Sequence, residues 1–154
     1  SMLLHGRPGL LLVYLVEKQA NPMKTLAISV VLILSASPLM AKQPLHENPT
    51  VISGFYAIGL ADEVRKNCSS IGPRMIRAYN YLRALHGWAK DNGYTDAEIE
   101  ELVDNRKEKE ALRARIRADL KDRGASPQTP EGYCTVGREE IAKETAAGRL
   151  LRAN

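Results

Sequence analysis

Three groups of side chains in this sequence could do chemistry: a pair of cysteines, one helical histidine and a cluster of basic residues. Cys68 and Cys134 are the two cysteines of the chain. Two thiols are too few for a four-cysteine metal site or a disulfide-dense mini-protein. Their separation also lacks the C-x-x-C spacing of a redox-active pair. From the residues alone, they predict either one disulfide bond or two buried free thiols.

His86 is the histidine that a catalytic set would need, because His46 lies in a proline-rich segment. No nucleophile elbow, H-E-x-x-H pair or phosphate-binding loop accompanies it. Since His86 falls beside the apolar face of its predicted helix, we expect a half-buried side chain with a hydrogen-bond partner. A small hydrolase using His86 is the alternative. We assign no catalytic residue and no metal ligand, and we expect no cofactor.

The segment 106–123 contains eight Lys or Arg and four Asp or Glu. At helical spacing, five of its basic residues gather on one side. These five are Arg106, Lys109, Arg113, Arg117 and Lys121. One interpretation is a solvated helix face with ion pairs one turn apart. The other is a surface for anions such as lipid headgroups, a polyanionic envelope component or an acidic partner protein.

The amino-terminal part of the chain has the layout of a secretory signal peptide. Lys24 follows Met23, an apolar run covers 26–34, and small residues lead to Ala41. This order predicts a signal peptide over 23–41 with cleavage near Ala41. The apolar run is shorter than the roughly 20 residues that span a bilayer, although an uncleaved anchor is the alternative. Residues 1–22 are interpreted as a misassigned start or a non-structural extension.

Export changes how the charge and the cysteines are interpreted. The whole chain has a formal net charge of +4, whereas residues 42–154 hold 19 basic and 17 acidic residues, a net of +2. This small excess gives little support to nucleic-acid binding, which we do not expect. An even pair of cysteines in an exported chain predicts a disulfide.

Residues 50–154 predict a single helical domain, preceded by an extended lead-in over 42–49. Apolar residues recur at helical spacing in four segments, at about 50–67, 73–92, 95–123 and 130–151. Thr50 and Thr95 are the expected amino-terminal caps, and Thr95 forms a capping box with Glu98. Pro73 and Pro130 suit the first turn of a helix. Gly93 and Gly124 are the expected helix stops. The third segment changes register across 104–110, which predicts either a kink or two helices. No segment alternates as a strand would.

These segments favour an all-α fold, a small four-helix up-down bundle stapled by a Cys68–Cys134 disulfide. Cys68 ends the first predicted helix and Cys134 begins the fourth. In an up-down bundle these two points lie at the same end. A Cα separation above about 7 Å would exclude the bridge.

Four short segments resemble a family of small exported bacterial proteins classified as a domain of unknown function. They are Val64 to Ile71, Gly93 to Ile99, Tyr133-Cys134 with Gly137-Arg138, and Gly148 to Arg152. The resemblance covers about 51–152 and implies a leader peptide and a paired cysteine. It implies no activity and no site residues. The extension before Met23 departs from the family pattern.

The sequence therefore predicts a periplasmic or secreted, non-enzymatic helical protein that binds or scaffolds an envelope component. Its partner would be an envelope protein or an anionic surface. A membrane-attached accessory subunit with a retained leader is the second interpretation, and the small hydrolase is the third. The sequence does not specify an oligomeric state.

Overall fold

The structure is a computed structural model that describes residues 42–154. The predictions for 1–22 and for the signal peptide over 23–41 lie outside the described residues. Within them the chain forms five α-helices: α1 (Pro49–Asn67), α2 (Met75–Asp91), α3 (Asp96–Asp104), α4 (Arg106–Asp122) and α5 (Glu131–Ala142). Strands β1 (Ile71–Pro73) and β2 (Leu151–Ala153) pair antiparallel, with Gly72 opposite Arg152. The mostly helical fold is confirmed, whereas the four-helix up-down bundle is not.

The lead-in over 42–49 is folded rather than extended. Its residues Leu45–Glu47 form a 3-10 turn, and Leu45 is buried. Asn48 then caps α1, because its side chain accepts hydrogen bonds from the backbone of the first turn. Thr50, the expected cap, lies inside the helix.

The predicted capping box and glycine stops are confirmed. Thr95 accepts from the backbone of Glu98, whose carboxylate accepts from the backbone of Thr95 at 2.7 Å. Together with the hydrogen bond from Lys42, this contact holds the pKa of Glu98 at about 2. Gly93 and Gly124 both adopt positive φ just after a helix, at 84° and 81°.

Small residues on α1 let two other helices approach closely. A Cβ added to Gly59 would lie 2.5 Å from Cδ1 of Ile116 on α4. One added to Gly54 would lie 2.8 Å from Leu85 on α2. These glycines cost helix propensity, but they give α1 two grooves in which large apolar side chains are seated.

The long third segment is divided at Asn105 into α3 and α4. Asn105 has an extended backbone, and its side chain accepts a hydrogen bond from the backbone of Glu108 at 3.1 Å. In a straight helix Leu102 and Leu112 would face directions roughly 80° apart. The break allows both to turn toward α1, and this resolves the change of register seen in the sequence.

The fourth predicted helix ends at Ala142, earlier than the spacing predicts. Glu144 has a φ of 49°, and the backbone N–H groups of Glu144 and Thr145 return to the carbonyls of Ile141 and Glu140. This Schellman arrangement closes the helix without a glycine. The Thr145 hydroxyl donates to the Glu140 carboxylate and accepts from Gly148 N–H at 3.0 Å.

Beyond this stop, Leu151–Ala153 form strand β2, which pairs with β1. No strand was predicted from the sequence, and that prediction was wrong. Pro73 belongs to β1 and pairs with Leu151, rather than starting α2. Arg74 fixes the pairing, because its backbone N–H donates to Leu150 at 2.7 Å and its Nε to Leu151 at 2.9 Å. Three-residue strands are too short for an alternating pattern to be recognised.

We expect Gly148 to be essential for the contact between the carboxyl-terminal segment and the end of α5. A methyl group added to Gly148 would overlap the backbone carbonyl of Glu140. We expect Gly148→Ala to lower the free energy of unfolding by at least about 2 kcal/mol, measured by urea denaturation. Gly87→Ala is the matched control. Nothing lies within 4 Å of the added methyl group at that helical position, so stability should rise by about 0.5–1 kcal/mol. Equal changes in the free energy of unfolding for the two substitutions would contradict the close contact between Gly148 and Glu140.

Candidate functional site

The predicted Cys68–Cys134 bridge is confirmed as a pair at disulfide distance. The two Sγ atoms are 1.99 Å apart and the Cα atoms 5.1 Å apart. Cys68 is buried at the end of α1, and Cys134 lies in the first turns of α5. The Ser70 hydroxyl lies 3.2 Å from Cys68 Sγ. The pair is a structural link, and it leaves no free thiol within the described residues.

His86 is exposed, not half-buried, and it makes no hydrogen bond within the described part of the chain. Its side chain is 53% exposed, and its Nε2 lies 3.7 Å from Asp96 Oδ1. Lys90 forms the shorter contact to that carboxylate, at 2.9 Å. Among residues 42–154, no hydroxyl or thiol hydrogen-bonds to His86, so these residues place no nucleophile against the imidazole.

The five basic residues that share one predicted helix face lie on α4, and we call them the α4 stripe. All five of its side chains face solvent, and Arg113 pairs with Glu110 at 2.7 Å. Within the described residues, the other four have no acidic side chain within 4.0 Å: Arg106, Lys109, Arg117 and Lys121. The helix presents unpaired positive charge over about four turns. This exposure is what both interpretations of the sequence, a solvated helix face and a surface for anions, require.

Beside the stripe lies an apolar cleft, the α4 cleft, with a volume of about 380 Å³. Its floor comes from three helices: Val51, Ile52 and Phe55 of α1, Leu102 and Val103 of α3, and Ala111 and Leu112 of α4. Charged or titratable side chains surround it: His46, Glu108, Lys109 and Arg115. Lys109 belongs both to the stripe and to the cleft, so the two form one continuous surface.

Arg115, at the edge of the cleft, lies over the ring of Tyr56. Its guanidinium lies 5.4 Å from the centre of the Tyr56 ring. The Tyr56 hydroxyl donates to Asp119 at 2.8 Å. Burial and this hydrogen bond raise the pKa of Tyr56 to about 12. The ring therefore stays neutral at physiological pH and provides a fixed surface for Arg115.

A second apolar cleft, of about 430 Å³, lies on the other side of α3. Val51, Phe55, Leu102 and Val103 line both clefts. Neither was predicted from the sequence. The sequence signal for the α4 cleft was the change of register across 104–110, because the cleft is lined by residues on both sides of the resulting break between α3 and α4.

The described residues show neither a metal site nor a membrane span. No group of three or more His, Cys, Asp or Glu side chains in 42–154 is placed to hold a metal ion. No helix of this part combines the length and hydropathy needed to cross a bilayer.

Comparison with protein families assigns most of this chain to one family. Residues 43–152 match a family of unknown function, DUF5333. The chain belongs to this family. No match to it is found among curated proteins or among solved structures. The DUF5333 match covers the elements that build both clefts and the disulfide, although it assigns none of them a role.

In this DUF5333 chain, we expect Tyr56 to ionise near pH 12. The folded-state pKa is raised from 10.0, so its contribution to stability is complete below pH 10 and is lost as the pH rises to about 12. In a titration followed by tyrosinate absorbance, Tyr56→Phe should remove the component near pH 12. Asp119→Asn should move that component toward pH 10, because the carboxylate is lost.

Asp122→Asn is the matched control, an exposed carboxylate on the same helix that makes no hydrogen bond to Tyr56. It should leave the titration unchanged. An equal shift in both Asn variants would mean that Asp119 has no specific contact with the phenol.

Proposed function

We propose that this DUF5333 chain is an exported, non-enzymatic binding protein of the bacterial envelope. In this proposal the α4 stripe and the α4 cleft bind an acidic, partly apolar segment of a partner protein. The observation that carries the proposal is the continuity of the two surfaces through Lys109. Lys109 of the stripe and Arg115 line an open apolar cleft, a combination that binds a chain with both acidic and apolar side chains.

Three observations support export. The sequence has the order of a signal peptide over 23–41. The two cysteines lie at disulfide distance, and such bonds persist in oxidising compartments. The family match begins at residue 43, two residues after the expected cleavage point at Ala41.

The shape of the surface favours a protein segment over a flat anionic surface. A cleft of about 380 Å³ accommodates a few protruding side chains, whereas a bilayer surface would contact mainly its edges. The Arg side chains of the stripe can hold carboxylates by two parallel hydrogen bonds. His86 lacks a nucleophile hydrogen-bonded to it, so the hydrolase gains no support from the described residues.

Capture from envelope extracts tests the stripe directly. Arg113→Ala/Arg117→Ala should bind the partner roughly ten-fold more weakly than wild type, since two exposed charge contacts are lost. The captured partner should be released at high salt. Ala111→Glu, which places a negative charge at the cleft, should weaken capture in the same way without removing a stripe residue.

Arg138→Ala/Lys143→Ala is the control, because it removes two exposed basic residues of another helix region and the same net charge. It should capture the partner as wild type does. If the two double variants capture identical partners in equal amounts, the α4 stripe is not the binding surface.

A further inference from the structure

The second cleft has the size and the lining of a small-molecule site. Its volume is about 430 Å³, and ligand pockets typically measure about 300–1,000 Å³. All but two of its lining residues are apolar, and the two exceptions are Arg83 and His86 of α2. Ligand sites commonly combine apolar walls with a few polar groups that fix the orientation of the ligand.

The walls of this cleft offer few hydrogen-bond partners to a ligand. They come from α1, α2 and α3 and from Leu45 of the 3-10 turn, and backbone groups inside a helix are already paired with one another. An extended peptide in the cleft would leave N–H and C=O groups without partners, which costs free energy. A hydrocarbon chain has no such groups and would remove the apolar walls from water. The lining therefore favours a hydrocarbon chain.

The polar edge of the cleft is cationic. Arg83 and His86 are three positions apart on α2, so they lie on the same face of that helix. Among the described residues, no acidic side chain lines this cleft. The Arg83 guanidinium lies 5.8 Å from the centre of the Tyr79 ring. Within residues 42–154, it has no carboxylate within 4.0 Å.

An acidic residue does lie close to His86, outside the cleft. Asp96 Oδ1 is 3.7 Å from His86 Nε2, and the same carboxylate pairs with Lys90 at 2.9 Å. Lys90 therefore offsets the charge of Asp96, whereas the charge of Arg83 has no such partner. The edge of the cleft matches a ligand with a single anionic group.

We propose that the second cleft binds a fatty acid. The hydrocarbon chain lies against the apolar walls, and Arg83 binds the carboxylate, with His86 beside it. A guanidinium can hold a carboxylate by two parallel hydrogen bonds, which orients the head as well as attracting it. This inference does not depend on the proposed function, because neither the α4 stripe nor the α4 cleft contains Arg83 or His86.

Isothermal titration calorimetry of the native protein with laurate tests this site. We expect a dissociation constant of about 10–100 µM, as befits a ligand of this size in a half-open cleft. Dodecyltrimethylammonium has a hydrocarbon chain of the same length but a cationic head. It should bind at least ten-fold more weakly than laurate, because the head would face Arg83.

Two neutralised arginines test where the carboxylate lies. Arg83→Gln should weaken laurate binding about five-fold, because the charged hydrogen bonds to the head are lost. Arg77→Gln is the matched control, since Arg77 is an exposed basic residue of the same helix that does not line the cleft. It should bind laurate as wild type does. Arg115→Gln, at the α4 cleft, should also leave binding unchanged.

A second pair of variants tests the cleft without changing an arginine. Leu82 lines the cleft and is 43% exposed, so Leu82→Glu should preserve the fold and weaken laurate binding at least ten-fold. Ile76→Glu makes the same kind of change on α2 outside the cleft, at a side chain that is 78% exposed. It should bind laurate like wild type.

Three results would overturn the proposal. The first is an absence of laurate binding to the native protein up to about 1 mM. The second is equal affinity for laurate and dodecyltrimethylammonium, which would show that Arg83 selects no anion. The third is binding that Arg115→Gln weakens and Arg83→Gln does not, which would assign the ligand to the α4 cleft.

Discussion

The bond between Cys68 and Cys134 joins the end of α1 to the start of α5 across 66 residues of chain. Closing a loop of this length restricts the unfolded chain, and the entropic model assigns about 4 kcal/mol to it. Other close contacts lie beside this bond. Three residues beyond Cys68, β1 begins at Ile71, and the carboxyl-terminal strand pairs there. Gly137 of α5 packs so closely on Val64 and Ile71 that a methyl group would overlap both. Three kinds of contact therefore stabilise one end of the molecule: the covalent bond, close packing and strand pairing.

The other end is organised differently, and the candidate binding surfaces lie there. Lys42 reaches the capping box of α3 with a 2.9 Å contact to Glu98, and Leu45 joins a small cluster around Tyr94. The break at Asn105 turns α4 onto α1 and away from α2. The α4 cleft lies at this break, lined by α3 on one side and by α4 on the other. A chain with a single long helix over 95–123 would cover different surfaces.

Local signals in the sequence predicted local structure well. Gly93, Gly124 and the Thr95–Glu98 box each depend on backbone conformation within one helical turn, and spacing reveals them. The disulfide and the exposed stripe followed from residue type and helical periodicity. The early end of α5 could not be predicted in this way. Glu144 is a non-glycine residue in the left-handed region, and Thr145 and the segment that follows it hold this conformation. The β1–β2 pair joins residues some 80 positions apart, and no local pattern encodes such a contact. The clefts depend on how three helices pack, which periodicity along one helix does not describe.

The intact mass of the native protein, with and without reductant, tests the central claim most directly. We propose an exported chain, and its fold is closed by the Cys68–Cys134 bond. The native protein should then start near Lys42 and be two hydrogen atoms lighter before reduction than after it. A chain that retains residues 23–41 and has two free thiols would contradict both the export and the covalent closure.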